Sequence, residues 1–288
     1  MEEDRKNLIT DDDLEFVFKW TTESNLEILK DHIFKLWLTC TEKYYAYRCI
    51  EWMMFLKPRL PKHFAYQTLL KKLKSSESSP NTKKIIDLGC CFGQEVRQMI
   101  LDGVETKNIY AADIHDGYWN AGREFFMDNL SHLSTRLDGV TTLFADFAQP
   151  YPLPIECTER MVDSLENNFE AVLCQMVFHV LSKEQTENMA KRMSSMLKKG
   201  GILIGCCLGA IGEEAVWGVI PKGVQPRYLQ SLKSLTQLFN ENGFTDIEIK
   251  EIQLGSEGSL KYRNNMKPPA DSHPEINKCR YQFFAIKK

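Results

Sequence analysis

The stretch Lys84-Ile85-Ile86-Asp87-Leu88-Gly89-Cys90-Cys91-Phe92-Gly93-Gln94-Glu95-Val96-Arg97 constrains this chain more than any other. A short β-branched run ends in an acid, turns through two glycines four apart and passes into a helical pattern. Glycine serves where a turn takes positive φ, or where a ligand must lie against the main chain with no Cβ in the way. The first free N–H groups of the helix then face that ligand. In an open α/β sheet, such a strand, turn and helix mark the place where a nucleotide-like ligand meets the backbone.

Strand and helix patterns alternate after this point. Strands are expected at 84–88, 108–113, 141–146, 169–175 and 202–207, with helices at 94–102, 119–133, 158–167, 183–197 and 229–242. Two late strands, 244–254 and 279–287, have no helix between them. The alternation predicts a doubly wound, Rossmann-like α/β fold with a seven-stranded, mostly parallel sheet and an antiparallel hairpin at its edge. The first 75 residues show only helical periodicity, at 11–39, 44–56 and 63–73. A Ser/Pro/Asn-rich run then acts as a connector. The chain thus divides into a helical N-terminal cap or lid, 1–78, and a ligand-binding catalytic domain, 79–288.

Composition narrows the partners. A net charge of −3 and a pI of about 6.1 provide no basic field for nucleic acid. The lysines between 71 and 84 are diluted by serines and read as a solvated linker. No run approaches the roughly 20 apolar residues that span a bilayer, and the acidic N-terminus does not resemble a signal peptide. The nine cysteines show no C-x-x-C and no Cys/His spacing suited to zinc, so no metal is expected. An odd number of thiols in apolar runs points to a reduced, cytoplasmic protein. The expected partner is a small-molecule substrate, with no nucleic acid and no membrane, and the expected assembly is a monomer or a homodimer.

Three ligands compete for the turn. A nucleoside triphosphate needs G-x-x-x-x-G-K-[ST], which is absent. A dinucleotide needs G-x-G-x-x-G, whose middle glycine admits a pyrophosphate; here the spacing is Gly89-x-x-x-Gly93 with Cys91 between. The third, S-adenosylmethionine, fits. Asp87-x-Gly89-x-Cys91-x-Gly93 resembles the first motif of class I S-adenosylmethionine-dependent methyltransferases, with Cys91 in place of the middle glycine. The longer string Asp-Leu-Gly-Cys-Cys-Phe-Gly-Gln, with Arg97 close behind, is similar to a narrower group, the fungal methyltransferases of polyketide and meroterpenoid biosynthesis. The resemblance includes Tyr47-Arg48-Cys49-Ile50, Phe55-Leu56, Asp102-Gly103-Val104, Phe178-His179-Val180 and Gln185, and spans roughly residues 40 to 250.

The resemblance implies a methyltransferase variant of the Rossmann-like fold and S-adenosyl-L-methionine as cofactor. It implies that Asp87, Gly89, Cys90, Cys91 and Gly93 bind the cofactor and gives Asp87 the task of organising water or the amino group of the methionine moiety. Asp113 closes strand 2, 26 residues on (113 − 87), where a carboxylate can accept from both ribose hydroxyls; Ile114 can pack on the adenine. Asp146 closes strand 3 and can accept from the adenine amino group, with Phe147 against the ring. Gln175 closes strand 4 and can meet the methionine moiety. Each acid could equally cap its following helix, but three around one crevice favour a ligand.

Methyl transfer from a sulfonium is an in-line displacement in which the cofactor carries the activation. The protein aligns the acceptor and excludes water. A base is needed only where the acceptor must lose a proton. His179, after strand 4, is the candidate catalytic residue, as a base or as an orienting group. Tyr47 and Arg48 in the helical region and Trp217 in the loop after strand 5 are the candidate substrate-binding residues. The resemblance implies O-methylation of a carboxyl or hydroxyl group. Two alternatives stay open: an N-methyltransferase acting on a small amine or protein side chain, and a non-catalytic cofactor-binding homologue. Gln175-Met176-Val177-Phe178 stands where an N/D-P-P-Y/F motif would mark the familiar amide- and amine-methylating enzymes.

Overall fold

The central sheet has the order β3-β2-β1-β4-β5-β9-β8. A computed structural model describes residues 6, 9–43, 47–75, 83–150, 165–219, 226–254 and 277–288. β1 (Ile85–Leu88), β2 (Ile109–Asp113), β3 (Thr141–Phe144), β4 (Phe169–Gln175) and β5 (Leu197–Ala210) run parallel. β9 (Lys278–Lys287) is antiparallel to β5, and β8 (Phe244–Gln253) pairs antiparallel with β9 at the edge. Between β5 and β8 in sequence lies a separate two-stranded sheet, β6 (Ala215–Val219) and β7 (Pro226–Leu229).

The apolar runs of β1, β2 and β4 arise because both faces of this sheet are covered. Alternate residues point to opposite cores. Ile86, Leu88, Val172, Cys174 and Leu203 pack on one face with Met193 of α7 (Lys183–Met196) and Leu235 and Phe239 of α8 (Leu232–Glu241). Ile85, Ala171, Leu173, Ile202 and Ile204 pack on the other with Leu69 of α4 (Tyr66–Lys74) and Val96 and Met99 of α5 (Gln94–Leu101). The strand order reverses between β1 and β4, and a crevice opens at the carboxyl ends of such a switch point.

A third core joins α1 (Asp11–Thr21) and α2 (Leu26–Lys43) to Phe92 of the turn and to Tyr118 and Phe125 of α6 (Asp116–Phe125). The single helix expected over 11–39 breaks at Thr22, which takes φ 59°, and Asn25 then accepts from the N–H groups of Glu27 and Ile28. Of the helix expected over 44–56, residues 44–46 lie outside the described residues, and the rest forms only α3 (Arg48–Glu51) and a 3-10 turn, Met54–Leu56. Trp37 Nε1 donates to the Ile50 carbonyl, and Met53 takes φ 49°, so the helix stops. The helix expected over 158–167 lies mostly outside the described residues; Asn167, at φ 50°, donates its N–H to Ser195 O. α6 ends at Phe125 rather than near 133, and β5 runs longer at both ends than 202–207.

His63 ties the N-terminal region to the sheet. Its Nδ1 accepts from the Ala65 N–H at 3.1 Å, so Nε2 carries the proton and donates to Gly205 O at 3.0 Å. Burial pushes the pKa of His63 down to about 4, the strand carbonyls of Gly205 and Phe283 opposing this in part. The unfolded chain, with a pKa near 6.5, takes up a proton more readily as pH falls. The stabilisation is therefore complete above pH ~6.5 and is lost on acidification towards pH 4, on the order of 3 kcal/mol. His63→Gln keeps a donor and an acceptor but does not titrate. Urea unfolding at several pH values should show a shallower loss of stability for this variant over pH 4–6.5.

Candidate active site

A cavity of about 690 Å³ occupies the switch-point crevice. Its size falls within the usual range for small-molecule sites. Leu88, Gly89 and Cys91 reach it from the turn, Asp113 and Ile114 from the end of β2, Asp146 and Phe147 from beyond β3, and Gln175 and Val177 from the end of β4. The N-terminal region supplies Tyr47, Cys49, Trp52, Phe55 and Arg59. A further group comprises His179, Gln185, Met189, Leu208, Arg227, Lys278 and Arg280.

The turn takes positive φ at every second residue: Gly89 (83°), Cys91 (50°) and Gly93 (72°). A Cβ on Gly89 would lie 2.4 Å from Val177 Cγ2, and one on Gly93 would lie 2.5 Å from the Trp119 ring. Cys91 carries a side chain in the left-handed region, at a cost of about 1–2 kcal/mol. Its N–H donates to Asp113 Oδ2 at 2.8 Å, and the His115 N–H donates to Asp113 Oδ1 at 3.3 Å. Two backbone donors thus aim the Asp113 carboxylate while leaving lone pairs for two hydroxyls. Burial raises the pKa of Asp113, and these N–H groups oppose the rise.

Three buried polar groups nearby have atoms with no hydrogen-bond partner: both oxygens of Asp87, Gln94 Oε1 and Gln175 Nε2. Burial, then the charges of Glu95 and Asp113, raises the Asp87 carboxyl well above its usual range. Gln175 Oε1 already accepts from the Cys206 thiol at 2.7 Å. Buried polar atoms are normally paired. Three unmet acceptor oxygens and one unmet donor suit an ammonium and a carboxylate, the two ends of an amino acid moiety. With Asp113 set for vicinal hydroxyls and Ile114, 47% exposed, offering an apolar surface, the residues present fit S-adenosylmethionine.

The remaining expected site residues fall into three groups. Tyr47 and Phe147 are on the cavity wall, and Asp146 beside Phe147 accepts from Ala148 N–H and Gln149 Nε2. Asp87, Cys90 and Gly93 are not on it: Asp87 lies buried in β1, Cys90 packs in the core with Val96 and Met99, and Gly93 caps α5. Arg48 and Trp217 have backbone positions in α3 and β6, but their side chains lie outside the described residues. Trp217 stands in a paired strand rather than a loop.

His179 sits on the 3-10 turn Phe178–Val180, is 8% exposed and lines the cavity. Burial pushes it down to about 3, helped by the charges of Arg227 and Arg59. β7 brings Arg227 there, docked by the Tyr228 N–H on Leu181 O at 3.0 Å. Arg59 arrives from the N-terminal region, where its N–H and that of Leu60 donate to Glu95. Neither arginine carries a sequence signal, because each reaches His179 only through packing. Gln94 had one: its place at the helix start in the turn motif.

Asp113→Asn should weaken S-adenosylhomocysteine binding about 10- to 100-fold by calorimetry, since bonds to a charged group are worth about 1.5–3 kcal/mol. Asparagine keeps one acceptor and turns an amino group towards a backbone donor.

No family model matches the chain. It is 30% identical over 232 residues to O-methyltransferase phiE of a fungal species, covering 79% of this chain and 68% of that one. It is 26% identical over 221 residues to the Asnovolin E/Chermesin D methyltransferase nvfJ of Aspergillus novofumigatus (76% and 69%). It is 28% identical over 196 residues to methyltransferase adrK of Penicillium rubens (68% and 64%). The chain spans about two thirds of the length of these relatives. Among solved structures, geranyl diphosphate C-methyltransferase from Streptomyces coelicolor shares the fold with a TM-score of 0.53 at 11% identity, covering 79% and 84%. A sarcosine dimethylglycine methyltransferase homologue from Galdieria sulphuraria gives 0.50 at 14% (78% and 83%). With its Rossmann-like sheet and its likeness to phiE, the chain belongs to the class I S-adenosylmethionine-dependent methyltransferases, in the family of fungal secondary-metabolite O-methyltransferases.

Proposed function

We propose that the protein methylates a carboxylate oxygen on an apolar small molecule, giving a methyl ester. One observation carries the reading: Arg59, Arg227 and His179 converge on one cavity wall. Burial, helped by the two cations, holds the imidazole neutral, and the cations attract an anion. An imidazole with a pKa of about 3 is too weak a base to take a proton from a hydroxyl, where even a phenol titrates near 10. A carboxylate is already ionised at neutral pH and needs no base. In this reading His179 donates a hydrogen bond that orients the acceptor and removes no proton.

Bound S-adenosylmethionine supplies the methyl group on a sulfonium. Asp113 would hold the ribose hydroxyls, Ile114 and Phe147 the adenine, and Asp146 its amino group. Gln175 and Gln94 would hold the amino acid end, with Asp87 behind them. Arg227, Arg59 and His179 align the acceptor oxygen with the methyl, while Met189, Leu208 and Trp52 exclude water. The N-terminal segment, 1–78, closes the crevice as a lid through Tyr47, Trp52 and Phe55. Eight described cysteines are free thiols, in keeping with a reducing cytoplasm. Among the described residues no helix is long and apolar enough to cross a membrane.

The test is a panel of apolar carboxylic acids and their hydroxyl counterparts, incubated with methyl-labelled cofactor. The expected product releases volatile labelled methanol on mild alkali, as an ester does. Label that is stable to alkali and found only on hydroxyls or amines would overturn the reading.

A further inference from the structure

We propose that Trp20, Asp128 and Arg97 form a positioning relay that ties α1 to the cofactor turn, so that cofactor affinity and the order of α1 are coupled. The proposal rests on the cofactor site described above and not on the identity of the acceptor. Arg97 is fully buried and divides its guanidinium between two tasks. Nη1 donates to Phe92 O at 2.7 Å and to Gly93 O at 2.9 Å. Nε donates to Asp128 Oδ1 at 3.3 Å, and Nη2 pairs with Asp128 Oδ2. From the other side, Trp20 Nε1 of α1 donates to the same Asp128 Oδ1 at 2.8 Å. The rings of Phe126, Trp119 and Trp20 surround the guanidinium carbon at 4.5, 5.4 and 5.7 Å.

None of the three side chains is on the cavity wall, so the relay acts through the backbone. Phe92 and Gly93 directly follow Cys91, whose N–H aims Asp113. Fixing the two carbonyls fixes the peptide planes on either side of Gly93, and so holds its left-handed conformation and the path of the turn just after Cys91. A buried ion pair is a poor way to add stability, since apolar residues of similar volume do as well or better. What this pair supplies, and an apolar cluster would not, is a directional hold on two carbonyls and an indole. Any coupling of this kind is reciprocal: if the ordered α1 favours ligand binding by some factor, the bound ligand favours the ordered α1 by the same factor.

Trp20→Phe tests the relay, because it keeps a ring against Arg97 and removes only the N–H. S-adenosylhomocysteine affinity is read by calorimetry in the full chain, without acceptor, so the outcome is independent of the carboxylate reading. His63→Gln, at a residue that is off the cavity wall and bonded to β5, controls for general loss of stability. The expected result is about 5- to 10-fold weaker binding for Trp20→Phe and unchanged binding for His63→Gln. In the unmodified protein, hydrogen exchange of amides 11–21 should slow when S-adenosylhomocysteine is added, and this measurement decides the matter if the variant does not fold. A folded Trp20→Phe with full affinity, or exchange over 11–21 that does not respond to the ligand, would overturn the proposal.

Discussion

Arg227→Gln should lower kcat/KM for a carboxylic acid acceptor by about 10²-fold or more, while S-adenosylhomocysteine affinity stays within a few fold. Truncating one partner of a buried, hydrogen-bonded charge pair costs about 2–5 kcal/mol, and each 1.4 kcal/mol is a factor of ten. Arg227 is 6% exposed and close enough to His179 to depress its pKa, so little solvent is available to replace it. The pH profile supplies an independent check. With His179 neutral down to about 3, nothing on the acceptor wall need titrate between pH 6 and 9. Steady-state kcat/KM should be flat over that span and fall only where the acceptor acid is protonated. A rise through pH ~6.5 would mean that a histidine of ordinary pKa acts as a base.

Gly122→Ala is the second large effect, and its sign opposes simple propensity. Alanine is better than glycine within a helix by about 1 kcal/mol, and Gly122 lies inside α6. A Cβ there would lie 2.1 Å from Phe92 O and 2.8 Å from Phe92 C and Cα, all backbone atoms. That carbonyl cannot yield, because Arg97 Nη1 holds it at 2.7 Å. Overpacking of this kind costs up to about 3 kcal/mol, and more where nothing can move. Thermal unfolding should occur several degrees lower, and cofactor binding should weaken with it, because α6 would push directly on the turn. A variant more stable than the parent would show that α6 is not seated on Phe92.

Much of the fold was legible because its signals are local. The β-branched run, the two glycines and the helical pattern after Gly93 each act within a few residues. A parallel strand buried on both faces shows as an apolar run whatever its neighbours. The α1–α2 break was missed although its signals, Thr22 and Asn25, are also local, because the apolar spacing continues across it. The stop after α3 had no local signal: Trp37, thirteen residues away, takes the Ile50 carbonyl. β6 and β7 leave no mark in the sequence because a short two-stranded sheet has neither a long alternation nor a two-residue turn.

The turn between Gly89 and Gly93 shows the same division. Residue types and spacing settled that the chain would build a switch-point crevice and present Asp113 and Gln175 at its strand ends, since a helix between successive strands makes them parallel and the local pattern marks where β2 and β4 stop. Tertiary packing decided which side chains complete the site. Cys90 went into the core and Cys91 to the wall because successive residues of the turn point in opposite directions. Arg59 and Arg227 reached His179 from segments 120 and 48 residues away (179 − 59; 227 − 179). Arg97, visible in the motif, acquired its role only when α1 and the turn after α6 delivered Trp20 and Asp128 to it. Long-range electrostatics and close packing depend on distances between segments, and no local pattern encodes those distances.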